Sequence, residues 1–193
     1  MSVYRAYNPN VEVNKNTISS VIKALPVGED IRQEILLKNN IDLASDKEWF
    51  NQQLWLNCFS DIENILGETI LHMIGESIPD NAYFPEINTL EEALKKLDVA
   101  YHMNHRLNGK IMYDSVTGKM LEGIGHYTLT EFDEEKGYAV MVCENPYPSR
   151  FDLGIISRLV KKYSHNPNSK VYLDITKETR LEGGRSCTYV VEF

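Results

Sequence analysis

Long apolar runs, clustered cations and paired cysteines are all missing from this sequence, and each absence removes a class of function. No stretch approaches the roughly 18 to 20 uninterrupted apolar residues of a membrane span. The opening MSVYRAYNPNVEVNKN has no apolar stretch of signal-peptide type, so a cytoplasmic protein is expected. Cys58, Cys143 and Cys187 are odd in number, far apart and without Cys-x-x-Cys spacing. That excludes a disulfide framework and a self-contained zinc finger, and leaves buried, reduced thiols. Against a formal charge of -8, no Lys/Arg cluster exceeds two residues. Binding a phosphate backbone needs several cations on one face, so nucleic acid is not expected as a partner. Gly-x-Ser-x-Gly, a phosphate loop, His-Glu-x-x-His and a dinucleotide fingerprint are all absent, so nothing positive points to an enzyme.

What is present fits one domain with a real core, residues 1–193, in which the polar, Asn-rich residues 1–16 read as an ordered extension or a loose N-terminal arm. Apolar spacing predicts a helix over 17–25, which Pro26 and Gly28 stop, and a second over 29–38. The capping-box pattern Ser45-Asp46-Lys47-Glu48 leads into a long stripe through Phe50, Leu54, Cys58, Ile62 and Met73, bent at Gly67. Pro79 and Pro85 bracket a connector. Thr89-Leu90-Glu91-Glu92 then opens a helix to about residue 104, with Leu90, Ala93, Leu94, Leu97 and Tyr101 on one face. Residues 106–122 read as an irregular excursion. From residue 124 the period changes to two: a hairpin over 124–144, the corner NPYPSRF, a helix with Asp152 as N-cap, and a final hairpin of KVYLDIT and SCTYVVEF joined through EGGR. The expected class is α+β, with N-terminal helices packed on a C-terminal four-stranded antiparallel sheet of ββαββ order.

Two places carry candidate chemistry. At the corner, Asn145-Pro146 starts a turn and Pro148 fixes φ, which is enough to steer strand into helix. The same stiffness suits a preorganised anchor in which Tyr147, Ser149 and Arg150 aim hydroxyls and a forked cation at a carboxylate. At the end of the Tyr101 helix, His105 lies about 40° from Tyr101 and His102 about 100° away, so the helical period points His105 inward. Both histidines also suit the negative end of a helix dipole. Arg106, after Asn104, reads as a solvated helix end; with Tyr101 it is also a candidate ligand contact. Cys143 reads as core, and no neighbouring His or Lys lowers its pKa.

Three stretches carry a resemblance: ETRLEGGRSCTYVVEF, the helix ending LDVAYHMNHR, and YPSR. Over residues 45–193 the chain resembles the fold shared by haem-nitric-oxide-binding domains and four-vinyl-reductase-type ligand-binding domains, which are related to Golgi transport-particle subunits. The resemblance implies a proximal haem ligand at His102 and a propionate grip by Tyr147, Ser149 and Arg150. Arg150 comes one residue early for the Tyr-x-Ser-x-Arg pattern, and Pro148 stiffens the turn. Zinc-binding relatives carry a cysteine where this chain has Thr179, so zinc at Cys143 and Cys187 is not expected.

The leading expectation is a small-molecule-binding sensory or regulatory domain. Its pocket is largely apolar and takes a small apolar or anionic ligand, with His102, His105, Tyr147, Ser149 and Arg150 near a cofactor if there is one. Output would pass to a protein partner, or through a homodimer supported by the last strand. The alternatives are a haem-based sensor of diatomic gases with His102 on the iron, and a non-catalytic assembly module.

Overall fold

The computed structural model describes residues 4–193. Its chain order is β1 (Val11–Asn14), α1 (Lys15–Ala24), α2 (Glu29–Lys38), β2 (Trp49–Asn51), α3 (Gln52–Leu66), α4 (Thr69–Asn81), α5 (Leu90–Met103), β3 (His105–Leu107), β4 (Lys110–Ile111), β5 (His126–Asp133), β6 (Tyr138–Glu144), α6 (Ser149–Tyr163), β7 (Lys170–Leu173) and β8 (Cys187–Glu192), with one 3-10 turn at Arg180–Glu182. The class is α+β with two antiparallel sheets, ordered β2-β1-β3-β4 and β5-β6-β8-β7.

The first sheet departs from the sequence reading. Residues 11–14 form one of its inner strands, with Val11 and Val13 fully buried. The segment before them is also tied down. The Gln53 side chain accepts from Ala6 N at 2.9 Å and donates to Tyr4 O at 2.9 Å, and the Tyr4 hydroxyl donates to Glu63. Residues 4–16 are therefore an ordered extension, one of the two readings of the arm; residues 1–3 lie outside the described ones.

The long stripe predicted after Ser45 divides into two helices. Asn51, not the Ser45 box, caps α3, its side chain accepting from Gln53 N at 2.9 Å. Gly67 then ends α3 at φ +82°, a conformation that only glycine adopts freely, and α4 follows at a new angle. Pro79 falls inside the last turn of α4 rather than in the connector. For α5 the expected box forms: Thr89 Oγ1 accepts from Glu92 N at 3.2 Å.

In the second sheet the alternation of β6 and β8 is in register. Ala139, Met141 and Cys143 face Val191, Tyr189 and Cys187, and all six are fully buried. α6 lies on this sheet and buries Phe151, Ile155, Ile156 and Leu159. α4 crosses α6 at two glycines. A Cβ on Gly75 would meet Phe151 O at 2.2 Å, and one on Gly154 would meet His72 O at 2.1 Å, so the backbones themselves are in contact. Asp152, the predicted N-cap of α6, instead sits buried in its first turn, and Pro148 holds the cap position.

Candidate functional site

Because α5 is fixed at both ends, it can place side chains accurately in the interior. Its C-cap Asn104 is 4% exposed, not solvated. Asn104 Oδ1 accepts from Asn14 Nδ2 at 2.7 Å and Thr17 Oγ1 at 2.9 Å, and its Nδ2 donates to Tyr83 O at 2.8 Å and Ala100 O at 2.7 Å. The helix end is thereby tied to β1, α1 and the connector after α4.

Beside this hub is a cavity of about 40 Å³, lined mainly by Trp55, Leu97, Tyr101, His105, Tyr147 and Phe151. Its walls are almost wholly apolar or aromatic. Phe59 packs edge-on against Trp55 and Phe151, each at 4.8 Å between centroids, and Tyr101 packs edge-on against Tyr127 at 5.2 Å. Thr17 and Asn104 also reach the wall, and its other polar feature is a bonded pair. His105 Nδ1 lies 2.7 Å from Tyr101 O, which can only accept, so that nitrogen carries the hydrogen. Its Nε2 then accepts from the Tyr147 hydroxyl at 2.9 Å. Burial pushes the His105 pKa down to about 4, so the ring is neutral, and burial raises Tyr147, so the phenol stays protonated. Next to the Tyr101 and Tyr147 hydroxyls lies the amide of Gln52, fully buried, with neither its oxygen nor its nitrogen in a hydrogen bond of ordinary geometry.

Of the residues singled out in the sequence, Tyr101, His105 and Tyr147 meet at this cavity. Tyr101 donates its hydroxyl to Ile124 O at 2.8 Å. Arg150 is half-exposed and pairs with Glu68 at 3.4 Å, whereas the Tyr147 hydroxyl is held by His105. Tyr147, Ser149 and Arg150 do share a second small recess of about 30 Å³ with Arg180, Glu63 and Glu68. Ser149 is buried, and its carbonyl accepts from the Tyr189 hydroxyl at 2.8 Å. Arg106, whose side chain does not line the cavity, forms a two-point pair with Glu12 at 2.6 and 3.0 Å and lies over the Trp49 ring. No cation lines the cavity among the described residues, so its chemistry suits an apolar ligand rather than an anionic one.

His102 is fully buried but lies off this cavity, between α5 and β5, its ring stacked on His126 at 5.1 Å. Among the described residues, Asp98, His102 and His126 are the group whose ligating atoms come within 4.8 Å of one another. The cysteines do not join it. Cys143 and Cys187 are register partners and both are free thiols; burial holds the Cys143 thiol well above its ordinary value.

The corner is held by Asn145, read from the sequence as a turn former, by Asp152, read as an N-cap, and by Tyr127 and Arg180, which the sequence did not single out. Asn145 Oδ1 accepts from Tyr147 N at 2.9 Å, and its Nδ2 donates to Asp152 at 3.2 Å. Asp152 accepts from the Tyr127 hydroxyl at 2.6 Å and is paired with Arg180. Arg180 also donates to Cys143 O at 2.9 Å and Asn145 O at 3.1 Å. This buried network joins α6 to β5, β6 and the turn before β8. A lone Arg in EGGR-flanking sequence gave no sign of it.

No family model matches the chain, and no curated protein matches it. Solved structures do. An H-NOX (haem–nitric-oxide-binding) protein from S. oneidensis in its Fe(II)NO ligation state is similar at TM-score 0.59 and 9% identity, over 92% of this chain and 97% of that one. A variant of T. Tengcongensis H-NOX is similar at TM-score 0.60 and 16% identity, over 93% and 97%. A structure titled "Probing the function of heme distortion in the H-NOX family" is similar at 0.58 and 18%, over 93% and 94%. The chain has the H-NOX fold.

The residues present do not fit haem. A ligand of that size needs a pocket of about 300 Å³ or more, and the interior offers about 40 Å³ between interlocked rings. The imidazole on the cavity wall has its second nitrogen engaged by Tyr147, and the other candidate, His102, is outside the cavity.

Proposed function

We propose that this chain is a sensory or regulatory ligand-binding domain of the cytoplasm, built on the H-NOX fold, that takes a small apolar molecule without haem. The observation that carries this reading is the cavity at the end of α5, whose apolar wall is interrupted by the neutral His105–Tyr147 pair. A ligand of a few heavy atoms fits there, and a polar atom on it finds the Tyr147 hydroxyl. The cavity touches α3, α4, α5 and α6 at once. Filling it therefore biases the packing of the helices, which is a physical means of passing a signal to a protein partner. The diatomic-gas sensing suggested by the structural neighbours' haem is the competing reading. A homodimer through the edge of the last strand is disfavoured, because β8 is hydrogen-bonded on both sides, by β6 and β7.

Xenon is a suitable probe, since dry apolar cavities bind it. Under xenon pressure the amide and side-chain resonances of Leu97, Tyr101 and Tyr147 are expected to shift in the wild type and to stay fixed in Ala100→Leu, which fills the cavity from its wall. Absence of any shift at these residues, or equal shifts in both proteins, would overturn the reading.

A further inference from the structure

We propose that Asp98, His102 and His126 bind a single divalent transition-metal ion of the zinc class. Asp98 and His102, four residues apart, share a face of the last turns of α5, and His126 opens β5, the strand laid against that helix. The His102 Nδ1 lies 2.8 Å from Asp98 O, so the hydrogen is on Nδ1 and Nε2 carries the lone pair. That Nε2 is fully buried and has no protein partner. An imidazole oriented through one nitrogen by a backbone carbonyl, with the other free, is how a metal-ligating histidine is held.

The carboxylate is oriented as well. Asp98 Oδ1 accepts from Tyr127 N at 2.9 Å, and Oδ2 lies 2.9 Å from His126 Nδ1. With metal–ligand bonds of about 2.0–2.2 Å, neighbouring ligand atoms in a tetrahedral site are roughly 3.3–3.5 Å apart. Asp98 already stands 2.9 Å from His126 Nδ1, and one candidate ligand atom from each of the three residues lies within 4.8 Å of the other two. Binding draws the three groups together from within 4.8 Å, with the ion taking the place of the proton now shared by His126 and Asp98. His126 is about one-third exposed, which gives the ion a way in, and its Nε2 lies 3.1 Å from the exposed Glu122, which orients the ring through the nitrogen that faces away from Asp98. Two imidazoles and a carboxylate suit zinc, copper or nickel rather than calcium or magnesium. The site is separate from Cys143 and Cys187. The ion would clamp α5 to β5, one residue from Tyr127, which also lines the cavity.

The test is Co²⁺ titration of the chelator-stripped full chain. The expected result is one equivalent bound, with visible d–d bands that Zn²⁺ displaces, and a rise in Tm on adding Zn²⁺. His126→Ala should lose both the bands and the Zn²⁺-dependent rise while keeping its circular dichroism. Should His126→Ala not fold, His126→Asn keeps a donor for Asp98 and is expected to lose the same signals. His165→Ala, remote from the cluster, should retain them. No Co²⁺ bands and no Zn²⁺ stabilisation in the wild type, or undiminished binding in the folded His126 variant, would overturn the proposal.

Discussion

His105 shows how a residue's chemistry follows from its surroundings. Its ring is closed in by Tyr101 and Tyr147, is hydrogen-bonded at both nitrogens, and titrates near 4 instead of near 6.5 because burial penalises the cation. In the unfolded chain it protonates first as pH falls. Above about 6.5 both states are neutral and the residue gives no pH dependence. Between about 6.5 and about 4 the unfolded state binds the extra proton and stability declines, by roughly 3 kcal/mol over the whole window. Acid titration of stability, wild type against His105→Gln, checks this. The variant should have the shallower slope in that window, and equal slopes would contradict the assignment. At this scale the sequence was partly readable. The helical period put His105 on the side of Tyr101, and both line the cavity. The register with haem domains pointed to His102, which the structure sets against β5. Gln52, Asn104, Asp152 and Arg180 were missed, because a buried polar residue is recognised by its partners, and those lie tens of residues away.

Among the elements, those long enough to display a period were legible. α1, α2 and α5 lie where their stripes and caps predicted, and so do the two long strands of the β5–β6 hairpin. The sheet of β1 to β4 was not. Its strands are two to four residues long, too short to show an alternation, and they meet only because α5 returns the chain beside β1. The crossing of α4 and α6 was equally silent. Gly75 and Gly154 look like weak points in two helices, yet their missing side chains let the backbones touch. Gly154→Ala puts a methyl into the backbone of His72, which cannot move aside as a side chain would. A loss of about 1–3 kcal/mol or more is expected from urea unfolding, because overpacking forces backbone shifts. A Gly154→Ala protein as stable as the wild type would mean that the two helices are not in backbone contact.

Across the whole molecule, the chain shares the H-NOX fold along 93% of its length at 16% identity to one such structure, while its interior is closed by Trp55, Phe59, Tyr101, Tyr147 and Phe151. The α+β class could be read from the order of periods, and the resemblance to haem domains from three short stretches. Whether the interior is open or filled could not be read, because it depends on how several elements distant in sequence close around one point rather than on any motif. A fold does not carry its cofactor with it. The most direct measurement is the visible spectrum of the protein purified after expression with a haem precursor supplied. The expected result is a colourless protein with no Soret band and a native mass without haem. A stoichiometric Soret band, lost in His102→Ala or His105→Ala, would contradict the account and make this a haem protein.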